Sequence, residues 1–116
     1  MKDKILDLQS KQRKFYNSGE TKDYQFRINS LRLLNRLISR YEKDIIDALY
    51  KDLNKNPTEA FTSEIIFIQN EIRYTLKKLK KWMKPVNVKT PIINKPGKSY
   101  YINEPHGISL IISPWN

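Results

Sequence analysis

The apolar residues in the first part of the chain recur at helical intervals. Between residues 2 and 17 they include Ile5, Leu8, Phe15 and Tyr16, and the polar run NSG follows at 17–19. Glycine adopts the left-handed backbone that closes many helices at little cost. We therefore predict a first helix over residues 2–17, with Gly19 just beyond its C-terminus.

A second helical pattern starts after Asp23, whose side chain is a favourable N-cap. Its apolar positions continue as far as Leu53, and about thirty residues is long for one helix in a globular protein. We predict a break near residues 39–42, which gives two helices over about 24–39 and 42–53. The run NKNPT at 54–58 then ends one helix and starts the next, with Pro57 in the first turn.

The clearest helical period covers residues 63–84. Six apolar side chains recur there at steps of three and four residues and fall on one face of a helix. We predict that this stripe is buried against Leu31, Leu34, Ile38, Ile45 and Leu49 of the preceding helices. The stripe consists of Ile65, Ile68, Ile72, Leu76, Leu79 and Met83.

The pattern changes after Trp82, where prolines and glycines become frequent. Five of the six prolines and two of the three glycines lie in residues 85–114, which argues against a further helix. The β-rich runs VNVKT (86–90) and KSYYIN (98–103) predict extended segments. The turn EPHG (104–107) is followed by ISLII (108–112), which we predict to be a buried strand.

The positive charge of the chain is concentrated in one segment. The formal net charge is +10, and residues 72–103 hold Arg73 and eight lysines without any Asp or Glu. The lysines of 77–84 lie opposite the apolar stripe, which is typical of a solvated helix face. The alternatives are binding of nucleic acid or another polyanion through Lys77–Lys84, and binding of anionic lipid.

The composition limits the chemistry open to this chain. It has no cysteine, which excludes disulfides, thiolate metal sites and a cysteine nucleophile within it. His106, the single histidine, stands in a predicted turn and is interpreted as an exposed polar residue. Acidic residues such as Glu59, Glu64 and Glu71 suit helix solubility better than acid–base catalysis. We predict no metal site and a cytoplasmic location, and no apolar run is long enough to span a membrane.

The last residues, NEPHGISLIISPWN (103–116), resemble the segment that opens the cofactor domain of aldehyde dehydrogenases: Glu-Pro-x-Gly, an apolar strand, then Pro-Trp-Asn. The stretch 27–55 resembles the N-terminal helices of that family. The runs EAFTSEI, NEIRYTLKKLKKWMKP and VKTP within 59–91 resemble its class 3, fatty-aldehyde branch. His106 departs from the family pattern, which commonly has an apolar residue at that position.

The resemblance implies a fold and a domain organisation. The chain is expected to be mainly α-helical, with about four helices followed by short β segments. It would be the N-terminal part of an α/β aldehyde dehydrogenase fold whose Rossmann-like domain is truncated after its first strand. Residues 1–84 would form the helical region, 85–105 the extended segments of a bridging sheet used in oligomerisation, and 106–116 the first strand and turn of the cofactor domain.

The resemblance also implies a function. The parent enzyme would oxidise medium- or long-chain aldehydes to carboxylic acids with NAD or NADP, and would be a homo-oligomer. Asn116 matches the family asparagine that donates to the oxyanion, and Ile112, Ser113 and Trp115 match positions whose backbone lines the cofactor cleft. The chain by itself is expected to be inactive and to bind no cofactor stably. The alternative hypothesis is a stand-alone basic helical module that binds a polyanion through Lys77–Lys84.

Overall fold

The computed structural model describes residues 2–113. The helices are α1 (Lys2–Asn17), α2 (Tyr24–Arg40), α3 (Glu42–Leu53), α4 (Pro57–Ala60) and α5 (Ile66–Trp82). A π-helical turn, Phe61–Ile65, joins α4 to α5, and short 3-10 turns occur at Glu20–Lys22 and Ile92–Asn94. The strands are β1 (Val86–Val88) and β2 (Ser99–Tyr101). This confirms the predicted order of helices followed by short β segments.

Local capping groups set the helix boundaries. Gly19 has φ 81°, in the left-handed region predicted for a residue beyond α1. The backbone N–H of Phe26 donates to Asp23 Oδ1 at 2.6 Å, which makes Asp23 the cap of α2. The predicted break lies at Tyr41, between α2 and α3. The Asn56 side chain accepts from the backbone of Thr58, and Pro57 opens α4 as predicted.

The chain divides into two compact units. One comprises residues up to Phe26 together with those from Lys84 on, and the other is Arg27–Met83. Among the residues whose burial is described, the buried apolar ones belong to the second unit: Ile28, Ala60, Ile65, Ile72 and Leu79. Because α4, the π turn and α5 keep right-handed helical geometry at both junctions, residues 57–82 form one continuous helical run that supplies most of this core.

The predicted stripe on α5 is buried only in part. Ile65 and Ile72 are 2% and 5% exposed and Leu79 is also buried, but Ile68 is 45% exposed. The buried face turns instead toward Gln69, whose Nε2 donates to Ser39 Oγ of α2 at 2.8 Å. The prediction was therefore wrong for Ile68, because a polar side chain with a partner took the inner position.

The residues predicted to pack against this stripe are likewise buried only in part. Leu31, Ile38, Ile45 and Leu49 are half-buried, whereas Leu34 is 46% exposed. Leu34 was thus wrongly predicted as a core residue. Periodicity indicates which residues share a helix face, but the position of the neighbouring helix decides where the buried face is centred.

A partly buried ion pair links the segment after α3 to the π turn. Lys55 Nζ donates to Glu64 Oε1 at 2.6 Å, and the Lys55 side chain is only 7% exposed. The interpretation of Glu64 as a solubilising surface residue is therefore corrected. A buried ammonium requires a close anion, and the π turn brings Glu64 to it.

The two strands form an antiparallel pair in the first unit. Val86 pairs with Tyr101, Asn87 with Tyr100 and Val88 with Ser99. The segments predicted as extended, 86–90 and 98–103, therefore do contain strands, although each is short. Beyond the last paired residue, 102–113 contain no strand in the described part of the chain.

The prediction of a buried strand over residues 108–112 is not met. Leu110, Ile111 and Ile112 are 86%, 83% and 84% exposed and lie outside any strand. A strand is stabilised by hydrogen bonds and side-chain packing from its neighbours. No described residue of this chain is paired with the segment, so its apolar sequence is insufficient to form the strand.

Candidate functional site

The candidate site is the segment 104–113, which starts against the end of α1. Tyr16 Oη donates to the backbone carbonyl of Pro105 at 2.7 Å. Lys22 Nζ lies 3.3 Å from Glu104 Oε2, but both side chains are about half exposed or more, so this ion pair contributes little stability. The Tyr16 hydrogen bond is therefore the more specific attachment of the segment.

Gly107 completes this attachment. Its φ is 107°, a conformation that L-residues rarely adopt. A Cβ at this position would lie 3.6–3.8 Å from the ring of Tyr16, so the aromatic ring packs directly over the glycine. The turn 104–107 thus owes its shape to a glycine with positive φ and to one tyrosine that contacts it in two places.

After the turn, the segment runs beside α1. Residues 108–110 and the face of α1 enclose an open groove of about 530 Å³. The groove is lined by Ile5, Leu8, Gln9, Gln12, Arg13, Ile108, Ser109 and Leu110. Its lining is mixed rather than acidic or basic, and the groove leaves Leu110 largely exposed to solvent.

Of the four site residues expected from the sequence, the structure describes two. Ile112 and Ser113 are exposed, at the end of the described segment. Trp115 and Asn116 lie outside the described residues. His106 is exposed in its turn, as expected for a solvated residue.

Sequence reasoning missed the role of Tyr16. It counted Tyr16 only among the apolar positions of the first helix, because a tyrosine near the end of a helix carries no signal for a distant partner. Only the return of the chain after β2 brings Pro105 and Gly107 to it.

The lysines of residues 77–84 are all exposed, as predicted for a solvated face. Trp82, in the same run, is 42% exposed, and its ring centroid lies 5.8 Å from that of Tyr74. Lys78 Nζ lies 5.8 Å from the centroid of the Tyr74 ring. These contacts organise the surface of α5 without forming an enclosed site.

Residues 2–113 lack two further features. They contain no group of three or more His, Cys, Asp or Glu side chains placed to hold a metal ion. None of the helices in this range combines the length and apolar character needed to cross a bilayer.

The exposed apolar segment leads to a testable expectation. Residues 108–112 carry strand-forming side chains without a partner among the described residues, and such a segment can pair with another copy of the chain. We expect the chain to self-associate, more strongly at about 500 mM than at about 50 mM salt, because salt screens repulsion between the lysines of 77–98. Sedimentation velocity at both salt concentrations measures this.

The control is a shortened chain that ends at Glu104. It keeps every lysine and the β1–β2 pair but lacks the apolar segment, so it is expected to remain monomeric. If the 116-residue chain is monomeric at both salt concentrations, or if its association is unchanged by the deletion, the expectation is contradicted.

Comparisons with known proteins agree with the sequence motif. Residues 10–116 match the model of the aldehyde dehydrogenase family. The chain is 46% identical over 102 residues to the 4,4'-diaponeurosporen-aldehyde dehydrogenase of Staphylococcus aureus, covering 88% of this chain and 22% of that protein. It is 38% identical over 113 residues to the dimeric NADP-preferring aldehyde dehydrogenase of Canis lupus familiaris. That match covers 97% of this chain and 25% of that protein. Further relatives are named as members of aldehyde dehydrogenase family 3.

The three-dimensional comparison gives the same result. A solved structure of the substrate-bound state of Staphylococcus aureus AldH superimposes with a TM-score of 0.84 at 42% identity, covering 87% of this chain and 22% of that one. The chain thus spans about a fifth to a quarter of the length of these relatives. From its motif, its helices and these matches, the chain belongs to the aldehyde dehydrogenase family, and its curated relatives include class 3 members.

Proposed function

We propose that this chain is the N-terminal part of an NAD(P)-dependent aldehyde dehydrogenase that oxidises medium- or long-chain aldehydes to carboxylic acids. The match of residues 10–116 to the family model is the observation that carries this proposal. One relative is named 4,4'-diaponeurosporen-aldehyde dehydrogenase, and another is named as NADP-preferring and dimeric. These names support an aldehyde substrate, a nicotinamide cofactor and a homo-oligomeric parent.

Under this proposal, residues 112–116 are the part of this chain that would contribute to the catalytic site. The side-chain amide of Asn116 would donate to the oxyanion that forms when a thiolate adds to the aldehyde carbonyl. Ile112, Ser113 and Trp115 would present backbone groups to the cofactor, which accepts the hydride when bound. Ile112 and Ser113 are both exposed, which is compatible with contact to a ligand.

The boundaries of the proposed functional regions follow the sequence. Residues 1–84 would be the helical region and 85–105 the bridging sheet, with 106–116 as the entry to the cofactor domain. The β1–β2 pair supports the second assignment, because it lies wholly within 85–105. Tyr16 would hold the entry to the cofactor domain at the turn 104–107.

We expect the purified chain to show no aldehyde oxidation with NAD or NADP. Its sequence has no cysteine, so it cannot supply the thiolate that attacks the aldehyde. The measurement is the appearance of reduced nicotinamide with a medium-chain aldehyde. A chimera in which residues 10–116 replace the matching segment of the Staphylococcus aureus protein is expected to be active, because that protein would supply the missing groups.

The two halves of this experiment separate two claims. Turnover by the purified chain alone would contradict its inactivity. A chimera that folds and assembles but does not oxidise aldehydes would contradict the assignment of 10–116 as a functional aldehyde dehydrogenase segment.

The alternative, a stand-alone module that binds a polyanion through Lys77–Lys84, gains no specific support. The exposure of these lysines is equally expected for a solvated helix face. If the alternative were correct, affinity for duplex DNA would fall steeply as salt is raised. Aldehyde oxidation is therefore the single function proposed.

A further inference from the structure

The end of α1 and the turn 104–107 meet at one aromatic ring. The ring of Tyr16 lies 3.6–3.8 Å from the position that a Cβ of Gly107 would occupy, and both residues are half-buried. They belong to the same compact unit of the chain. Within residues 104–113, burial is confined to Gly107 and Ile108. The packing of the candidate segment against α1 therefore begins at this ring.

The backbone that carries Tyr16 is held by its own neighbours. The N–H of Gly19 donates to the carbonyl of Tyr16 at 3.1 Å, and Ser18 Oγ donates to the carbonyl of Phe15 at 2.6 Å. The ring of Phe15 meets that of Phe26 edge to face, with the centroids 5.8 Å apart, a geometry that aromatic pairs prefer. The position of Tyr16 is thus fixed independently of the candidate segment.

Tyr16 contacts the turn through its hydroxyl group and through its ring, and the ring contact is the more important one. The hydrogen bond to the carbonyl of Pro105 is exposed, so water can replace either partner at little net cost. The ring contact depends on shape, because Gly107 has φ 107° and no side chain to keep the ring away from its backbone. A phenylalanine would preserve this contact, whereas an aliphatic side chain would not.

The turn 104–107 precedes the residue proposed to donate to the oxyanion. Asn116 follows Gly107 by nine residues. Between them, the described residues 108–113 lie outside any helix or strand. Within the described part of this chain, the Tyr16 contact is therefore the fixed point from which the segment leading to Asn116 starts.

We propose that Tyr16 is a positioning residue that acts through Asn116 in the aldehyde oxidation proposed above, on which this inference rests. The ring of Tyr16 fixes the backbone of Gly107 and thereby sets where the segment that ends in Asn116 begins. An oxyanion donor works only within hydrogen-bond distance of the developing charge. A displacement of about 1 Å can cost about 10²-fold in rate. Tyr16 affects the reaction through the backbone and not by contact with the aldehyde.

The first experiment examines the contact itself, by NMR spectroscopy of the 116-residue chain at about 50 mM salt. We expect a nuclear Overhauser effect between the Tyr16 ring and an Hα of Gly107, and an upfield shift of that proton by the ring. Both signals should persist in Tyr16→Phe and disappear in Tyr16→Leu. Their absence from the unaltered chain, or their loss in Tyr16→Phe, would overturn the role of the ring.

The second experiment measures steady-state kinetics in the active chimera. Tyr16→Leu is expected to lower kcat by about tenfold and to leave KM for the aldehyde within about twofold, because the oxyanion forms after the aldehyde binds. Tyr16→Phe keeps the ring and should retain kcat within about threefold. An unchanged kcat in Tyr16→Leu, or a rise in KM alone, would contradict the positioning role.

A double-mutant cycle with Asn116→Ala distinguishes positioning from general structural damage. In the Asn116→Ala chimera, Tyr16→Leu is expected to lower kcat by less than about twofold, because the donor that it positions is absent. A tenfold loss in both backgrounds would show that Tyr16 does not act through Asn116, and the proposal would be wrong.

Lys22→Gln is the matched control, because it removes the other attachment of the same turn. Lys22 pairs with Glu104 at 3.3 Å between exposed side chains, so this variant should keep kcat within about twofold. A loss as large as that of Tyr16→Leu would overturn the special role of the ring. An inactive unaltered chimera would contradict the proposed function and this inference together, whereas an active chimera insensitive to Tyr16→Leu would contradict the positioning role alone.

Discussion

Replacing Ile72 by alanine is expected to lower the free energy of unfolding by about 2–5 kcal/mol. Ile72 is 5% exposed and belongs to the buried face of α5, so the substitution removes packed methylene and methyl groups and leaves a cavity. The total stability of a small domain is about 5–15 kcal/mol, so this loss is a large fraction of it. Urea denaturation followed by circular dichroism measures the change.

Ile68 provides a matched control on the same helix. It is the same residue type one turn earlier, but it is 45% exposed. Ile68→Ala is expected to cost less than about 1 kcal/mol, because exposed substitutions leave no cavity. Equal losses of unfolding free energy in the two variants would show that the face of α5 centred on Ile72 is not the buried one. A loss below about 1 kcal/mol for Ile72→Ala would show that Ile72 faces no core.

Replacing Asn116 by alanine in the active chimera is expected to lower kcat by about 10²- to 10³-fold. The expectation rests on the proposed role of Asn116 as the donor to the oxyanion, an interaction made mainly in the transition state. KM for the aldehyde should therefore change much less than kcat. Steady-state kinetics with saturating cofactor separates the two constants.

Asn87 serves as the control for this substitution. It is an exposed asparagine on β1, outside the segment proposed to enter the catalytic site. Asn87→Ala in the same chimera is expected to leave kcat within about twofold, as for other exposed substitutions. A chimera whose kcat is insensitive to Asn116→Ala, or in which only KM rises, would refute the proposed oxyanion role.

The exposed apolar surface of this chain is consistent with its coverage of its relatives. Residues on α1, such as Ile5, Leu6 and Leu8, are more than half exposed, as are Ile111 and Ile112 in the candidate segment. The chain spans only about a fifth to a quarter of the related proteins. The self-association experiment therefore examines a surface that carries unburied apolar side chains.

Local sequence determined where the helices begin and end. Asp23 and Asn56 cap helices through their own side chains, Gly19 adopts the left-handed backbone, and Pro57 occupies a first turn. These interactions involve residues only a few positions apart, so they can be predicted without knowing the tertiary structure. The motif ending in Pro-Trp-Asn likewise indicated the family, because it depends on order along the chain alone.

The tertiary structure decided which side chains those helices bury. Gln69 rather than Ile68 takes the inner position, because Ser39 on another helix offers it a hydrogen bond. Lys55 is buried because the π turn places Glu64 beside it. In both cases a distant partner removes the cost of burying a polar group, and helical periodicity contains no information about that partner.

The difference between what local sequence determines and what tertiary structure decides is clearest in the candidate segment. The sequence motif predicted a functional role for the end of the chain and a turn at 104–107, where Gly107 has a positive φ. It did not indicate that Tyr16 would hold Pro105 and Gly107, or that Leu110, Ile111 and Ile112 would be exposed and outside any strand. A turn is fixed by the conformational preferences of its own residues, whereas a strand exists only when another strand supplies its hydrogen bonds.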